Sequence, residues 1–470
     1  MPESIQQCRS SLTFAQLHAL SRGLPPVCLL ATSDGPGAGG AALNLLTALR
    51  AAGLDVELLV MAKGTARGFV HEIPLGRKWL TVARVLKRAR LKAHTAIPPW
   101  FELFSLADSP AKLEILPQLR RAGLVHLHWV AGFVGPRDAV QAFGDKPVVW
   151  TLHDMNPLTG GCHYTAGCER YKAEKCSHCP QLGPGECPDL AAGNFAAKVA
   201  ACSRLNITVA SPSRWLARCT RESDILGKAR CVVIPNCIDT ALYRPVQSEW
   251  ARAFCGIESG RKVIAFGASG LNRYNKGFVV LKEALRLLAR QWSGALPVLL
   301  LFGGELPEEY RPEGYEVVSF GRLGPSELAH VYACADVFVS SSFQDNLPLV
   351  LQEAQACGTP TVGMKHTGAE DIIEEGITGF LAEHPGLPLT PTGEPREISS
   401  IVNATSARSL AKKIQDVLLL PKASHEAMRY AARQHAVAAF APELMAARYL
   451  HLYRELLGLP RVDMGEAPCR

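Results

Sequence analysis

The sequence predicts an α/β protein built as two successive doubly wound domains. Three observations carry this prediction. Short apolar runs alternate with stretches of helical periodicity along most of the chain. The alternation runs through two series, separated by an irregular stretch around Val232-Val-Ile-Pro-Asn236. The 470 residues, 48% hydrophobic and 20% charged, suffice for two cores, so neither domain needs disulfides to fold.

In the first series, Val27-Cys-Leu-Leu-Ala31 reads as a strand and Asp34–Gly40 as a glycine-rich loop. Ala41–Ala52 then reads as a helix and Val56–Val60 as the next strand. This is the strand–loop–helix–strand unit of a parallel sheet. Further strands are expected at Val125–His128, Val148–Leu152 and Ile207–Ala210. In the second series, strands are expected at Val263–Gly267, Pro297–Phe302, Glu316–Phe320, Val337–Ser340 and Thr361–Met364. Helices are expected at Phe278–Arg290, Ser326–Cys334 and Leu349–Cys357. His384–Arg396, with four prolines, reads as a surface insertion. Ser424–Leu457 reads as two helices broken at Pro442. In such folds ligands bind at the carboxyl ends of the strands, here between the two domains.

The net charge of +7 is uneven: residues 1–200 hold 21 Lys/Arg against 15 Asp/Glu. A basic first half suggests an anionic partner, and no nucleic-acid-binding signature accompanies it. The apolar stretch Val27–Thr32 is too short and too far in for a signal peptide, and no run is long enough to span a membrane. A cytoplasmic protein is expected, with the 15 Cys as thiols or metal ligands rather than disulfides.

The strongest motif is Ser340-Ser-Ser-Phe-Gln-Asp-Asn-Leu-Pro348, running into Leu349–Pro360. A strand ends in a Ser/Asp/Asn loop and a helix begins at or just after Pro348. Backbone N–H groups at such a junction favour a diphosphate. Asp345 and Glu353, eight residues apart, could accept hydrogen bonds from hydroxyls at two points along one ligand. The competing reading is an N-capping Asp and a solvated helix Glu.

Here the chain resembles retaining GT-B glycosyltransferases of family GT4. Asp345-x7-Glu353, followed by Ala354-x-Ala-Cys-Gly-Thr-Pro360, is similar to the E-x7-E region of that family. Gln344-Asp-Asn-Leu-Pro348 is similar to exopolysaccharide enzymes of the colanic-acid type. Gly37–Leu49, His128-Trp129, Trp150–Asp154, Ser211–Trp215, Val233–Asp239, Lys276-Gly277 and Gly376–Leu381 match in order over roughly the whole chain. The resemblance implies a GT-B fold, two Rossmann-like domains facing across a cleft, and sugar transfer from a nucleoside diphosphate sugar with retention. It places Glu353 on the donor ribose, residue 345 on the donor sugar with Asp in place of the usual Glu, and Asn346 and Leu347 in the same donor loop. Lys276 falls on the diphosphate. A sugar–phosphate bond breaks with negative charge growing on the phosphate, so a fixed ammonium there is catalytic. Outside this context, Lys276 would read as a surface lysine.

The family's Arg before that lysine is not matched: Leu271 stands in its place, and Arg273 nearby is the substitute. Gly39-Gly40 is similar to the glycine turn near donor phosphate and acceptor, although such loops are commonly plain turns. His153, alone a core histidine, takes a positioning role beside the reaction centre, whereas His128 reads as structural.

Two features stand outside the resemblance. Cys162, Cys168, Cys176 and Cys179 have C-x5-C-x7-C-x2-C spacing, which fits a structural zinc site or a set of reduced buried thiols. Catalysis itself requires no cofactor. Arg77–Lys92 holds seven basic and no acidic residues, which fits docking on anionic lipid or an ordinary helix with a solvated basic face.

The expected organisation is an acceptor-binding domain over 1–205, a donor-binding domain over 206–425, and helices over 426–470 crossing back to the first domain. The expected activity is transfer of a sugar to a hydroxyl of a glycan or lipid-linked acceptor, in exopolysaccharide or cell-surface polysaccharide biosynthesis, at or near the inner membrane face. The rivals are a phosphorylase or epimerase on the same architecture, and a non-catalytic sugar-nucleotide sensor.

Overall fold

The computed structural model describes residues 12–73, 103–107, 112–182, 189–267, 274–304, 306, 308–391, 393–394, 396 and 404–462. Arg273 and the basic stretch Arg77–Lys92 lie outside them.

Two parallel sheets organise the chain. The first contains β1 (Val27–Ser33), β2 (Val56–Ala62), β3 (Val70–Glu72), β4 (Leu124–Leu127), β5 (Val148–Thr151), β6 (Ile207–Ser211) and β7 (Arg230–Val233), in the order 3-2-1-4-5-6-7. Its helices are α1 (Phe14–Ser21), α2 (Ala38–Ala51), α3 (Pro117–Arg121), α4 (Pro136–Phe143), α5 (Arg170–Ala173), α6 (Leu190–Cys202) and α7 (Arg214–Arg221). The second sheet contains β8 (Val263–Gly267), β9 (Val298–Phe302), β10 (Val317–Ser319), β11 (Val337–Val339), β12 (Thr361–Met364) and β13 (Gly379–Ala382), in the order 10-9-8-11-12-13. With it go α8 (Ser248–Cys255), α9 (Phe278–Gln291), α10 (Pro325–Cys334), α11 (Leu349–Ala356), α12 (Ala404–Leu418) and α13 (Lys422–Phe440); α14 (Pro442–Leu456) follows. Each sheet runs outward from its first strand and then reverses to the other side, which creates a switch point at the carboxyl ends of its central strands.

The apolar runs are continuous because each sheet is covered on both faces. Alternate residues of one strand feed different cores. In β1, Val27, Leu29 and Ala31 pack with α2, while Cys28 and Leu30 join the opposite cluster. In β8, Val263 and Ala265 face one cluster and Ile264 and Phe266 the other.

Three boundaries need correction. The boundary, expected near 205–245 around Val232–Asn236, falls in the later part of that range, and the division drawn at 205/206 is too early, because β6 and β7 pair into the first sheet. The chain leaves the first domain between Cys237, in a first-domain core, and Ile238, in a second-domain core. The crossing back takes one helix. On α13, Ala436 and Phe440 pack in the second domain, whereas on α14 Tyr449, Leu450 and Tyr453 are buried with α2 in the first. Finally, the proline-rich segment is more than a surface insertion. The Leu389 N–H donates to Ala166 O, and the Glu169 N–H to Pro391 O, so this segment straps the second domain to the first. Proline count reports the absence of helix; it does not report whether such a loop docks.

Candidate active site

The second domain supplies a loop, Ser340–Leu347, between β11 and α11, and all eight residues are buried. The turn carrying Lys276 is stitched to it: the Phe343 N–H donates to Asn275 O at 2.8 Å and Ser341 Oγ to Lys276 O at 3.1 Å. Gly277 closes that turn at φ +66°, and a Cβ there would lie 1.9 Å from Ser341 O, so only glycine fits. The result is an ion pair between Lys276 Nζ and Asp345 Oδ2 at 2.7 Å, with Ser342 Oγ 3.4 Å from the same carboxylate oxygen.

Glu353 lies inside α11. The Tyr332 hydroxyl donates to Glu353 Oε2 at 2.7 Å, and Tyr243 also hydrogen-bonds this carboxylate. Burial pushes the Glu353 carboxyl above its usual range, and the two hydroxyls pull it back down. The solvated-helix reading of Glu353 is therefore excluded. Neither tyrosine was foreseen, because Tyr332 in an apolar helix pattern reads as core and Tyr243 lies in an irregular connection, until the fold brings their hydroxyls to a carboxylate.

The loop meets the first domain beside His153. Asn346 Nδ2 donates to Leu152 O at 3.1 Å, and Ser213 Oγ donates to Asn346 Oδ1 at 2.8 Å. The Ala166 N–H donates to Gln344 Oε1 at 2.9 Å. Ser213 also caps α7, accepting the Leu216 N–H. Its cross-cleft role was not read from sequence, although it lies in a segment matched to the family. Leu347, expected at the donor, is 5% exposed and belongs to the second-domain core. An apolar side chain at the start of a helix packs inward, so only its backbone is left for a ligand.

His153 follows β5 and is half-buried. One ring nitrogen, Nε2, lies 3.0 Å from His128 Nδ1, and the two rings stack. Burial pulls His153 down to about 4 against a smaller opposing effect of Asp154, so it is neutral at pH 7. His128 stacks in turn on His126, which is held by the Tyr453 hydroxyl at 2.6 Å and Thr151 Oγ1 at 2.7 Å. Asp154 accepts from Trp129 Nε1 and pairs with His163 Nδ1, both at 2.6 Å. Burial alone would raise its carboxyl, but His163 and the N–H donors outweigh that and hold it below the usual range.

The glycine turn is shaped by sterics. A Cβ on Gly39 would sit 2.3 Å from Ser33 O, whereas one on Gly40 would meet Gly35 O at an ordinary 3.6 Å. Only Gly39 is required by packing. Among the described residues, neither glycine is hydrogen-bonded to the 340–347 loop.

The cysteine loop brings the four expected cysteines together. Cys162, Cys168, Cys176 and Cys179 border one small pocket. The Cys162 and Cys179 thiols hydrogen-bond each other, however, and Cys176 Sγ accepts the Gly160 N–H at 3.2 Å. Among the described residues, no group of three or more His, Cys, Asp or Glu is placed to hold a metal ion. The loop is also held by buried Lys198, whose Nζ donates to Asn156 O and Thr159 O, and by the His163–Asp154 pair.

Two parallel-sheet domains with a Lys–Asp–Glu constellation on one, docked beside a histidine on the other, define a GT-B glycosyltransferase architecture. The chain belongs to glycosyltransferase family 4: residues 37–242 match the model "Glycosyltransferase Family 4", and residues 261–388 match "Glycosyl transferases group 1". It is 25% identical to the D-inositol 3-phosphate glycosyltransferase of Rhodococcus opacus, over 78% of this chain and 79% of that protein. It is 28% identical to the putative colanic acid biosynthesis glycosyl transferase WcaC of Escherichia coli, over 56% of this chain and 63% of that protein. Among solved structures, it is similar to sucrose-phosphate synthase of Thermosynechococcus elongatus, with TM-score 0.60 and 19% identity over 92% of this chain and 99% of the other. Anabaena Alr3699/HepE in complex with UDP-glucose gives TM-score 0.56 and 17% identity, over 92% and 99%.

Proposed function

We propose that this glycosyltransferase moves a sugar from a nucleoside diphosphate sugar to a hydroxyl of a glycan or lipid-linked acceptor, with retention, in the assembly of a cell-surface polysaccharide. The observation that carries the reading is the 2.7 Å Lys276–Asp345 pair in a loop whose next residue, Asn346, bonds the carbonyl one position before His153. A donor seated there lies under an ammonium from one domain and beside a neutral imidazole from the other.

In this reading Glu353, already oriented by two tyrosine hydroxyls, accepts from the donor ribose, and Asp345 accepts from the sugar. As the anomeric carbon–oxygen bond breaks, its electron pair moves onto the diphosphate, and Lys276 stabilises the charge that develops there. The acceptor oxygen then bonds the anomeric carbon on the face the diphosphate leaves, and its proton passes to the departing phosphate oxygen. His153, neutral at pH 7, orients hydroxyls and does not serve as a charged acid. Binding of UDP-glucose by a structural neighbour supports a UDP-sugar as the first donor to try. The colanic-acid relative supports a polysaccharide role, while the relatives that match over more of the chain are named for an inositol phosphate acceptor. No helix among the described residues is long and apolar enough to cross a membrane, and we place the enzyme at the cytoplasmic membrane face through its basic first domain.

The test is a screen of UDP-, GDP- and ADP-sugars for thermal stabilisation, followed by nucleotide release with the best binder. One nucleotide sugar should stabilise the protein and be consumed. Stabilisation without release in the presence of glycan and lipid-linked acceptors would identify a sensor.

A further inference from the structure

The first domain contains a second feature that the donor chemistry does not use. A partly open pocket, with empty space of about 740 Å³ counting the part open to solvent, lies between the sheet and helices α4 and α6. Among the described residues its long wall is apolar, formed by Val134, Ala139, Trp150, Ala201, Leu205 and Ile207. His128, His153 and Asp154 line it as well.

Two observations point to a ligand. First, His128 is 3% exposed and bonds His153 through Nδ1, yet its buried Nε2 has no partner. A buried polar atom without a partner is costly, and a ligand hydroxyl satisfies it. Second, the pocket is elongated. Ile207 pairs with Val148, five residues before His153 on the adjacent strand, so it runs on the order of 16 Å along the sheet. The apolar wall extends away from the histidines.

We infer that this pocket is the acceptor subsite, and that the acceptor carries a hydrocarbon chain which enters it while the hydroxyl-bearing head stays beside His128 and His153. A bare sugar or cyclitol phosphate would leave the apolar wall unused. The inference rests on the transferase reading for the word acceptor, but the pocket's preference for a chain can be measured without turnover.

Trp129 and Trp150 line the pocket, so their fluorescence reports occupancy. The whole chain is titrated with decyl β-glucoside, below its micelle concentration, and with methyl β-glucoside. Decyl glucoside should bind about 100-fold tighter, the effect of roughly four buried methylenes. Farnesol run beside decanol tells a prenyl chain from a saturated one. Ala139→Phe and Ala201→Phe, made separately, should each remove the chain preference while leaving the melting temperature and UDP binding near those of the parent. Equal binding of the two glucosides overturns the proposal. So does a chain preference that survives both substitutions, which would mark adsorption elsewhere. If no nucleoside diphosphate binds at all, the transferase reading fails while the pocket result stands by itself.

Discussion

Lys276 and Asp345 already touch at 2.7 Å, so a donor does not assemble this pair but enters its field. Lys276→Ala should lower kcat by about 10²- to 10³-fold and move donor affinity less, because the leaving charge is largest in the transition state. A change confined to KM would make the lysine a binding contact. Glu353→Gln should weaken nucleotide binding by about 1.5–3 kcal/mol through loss of charge-assisted hydrogen bonds, and calorimetry with UDP reads this directly. Unchanged affinity would remove Glu353 from the ribose. The buried imidazoles give a pH signature. Burial holds His126 at about 3 and His128 well below the usual histidine value. Below pH 6.5 the unfolded chain therefore takes up protons that the folded chain refuses, and stability falls as the pH drops toward 4. Each such histidine contributes up to about 1.4 kcal/mol per pH unit in that window. Urea unfolding at pH 7 and pH 5 should show the loss, and His126→Gln should reduce the slope. Equal stability at the two pH values would contradict the burial argument.

At the scale of elements, the site is two turns pressed together: the short 3₁₀ turn Tyr274–Lys276 and the loop leading into α11. Gly277 holds them in register. Gly277→Ala meets both a left-handed backbone and a carbonyl at 1.9 Å, so the turn must move, carrying Lys276 away from Asp345. Turnover should drop by at least about tenfold even where the variant folds, and nucleotide release beside a melting curve checks this. Full activity would mean that the lysine's placement is not limiting. On the first domain, the carboxyl ends of β4 and β5 present His128 and His153, and the buried face of α14 presents Tyr449 and Tyr453. Tyr449 bonds Thr151 Oγ1 at 2.6 Å, and Tyr453 bonds His126. The last helix of the chain thus supports the histidine row at the cleft.

Across the whole molecule, two crossings join the domains, Cys237–Ile238 and Phe440–Pro442. They are bonded to each other, the Ile238 N–H donating to Phe440 O. Away from this joint the cleft is closed by Asn346 on Leu152, by Gln344 on Ala166, by Arg214 on Asp371 at 2.7 Å, and by the Leu389 strap. A chain ending at Phe440 loses Tyr449, Leu450 and Tyr453, each no more than 1% exposed, from the first-domain core. It should lose its cooperative unfolding transition or aggregate, whereas Tyr449→Phe with Tyr453→Phe should keep the fold. A truncated chain as stable as the parent would show that α14 is dispensable. The basic stretch Arg77–Lys92 makes a separate prediction from charge. Sedimentation with vesicles should require anionic lipid and fade with salt, and reversal at Arg84, Lys87 and Arg88 should abolish it.

Much of this protein follows from the sequence by itself. Apolar runs of strand length, repeated with helical stretches between them, leave a parallel α/β architecture as the economical solution, because each sheet must be covered on both faces. The motif Gln344–Pro348 with Glu353 was legible as a strand–loop–helix junction for the same local reason. What the tertiary structure alone decided is which distant groups meet. Tyr332 and Tyr243 on Glu353, Asn346 on Leu152, Tyr453 on His126 and the proline-rich strap on the cysteine loop all join residues whose separations carry no period. The division at 205/206 was too early because a short edge strand such as β7 is weakly apolar, and its membership is settled by backbone pairing with β6. The four cysteines had spacing suited to a metal, but spacing restricts only how close sulfurs can come. The loop path that brings all four to one pocket is held by Lys198 and His163, neither of which the spacing contains.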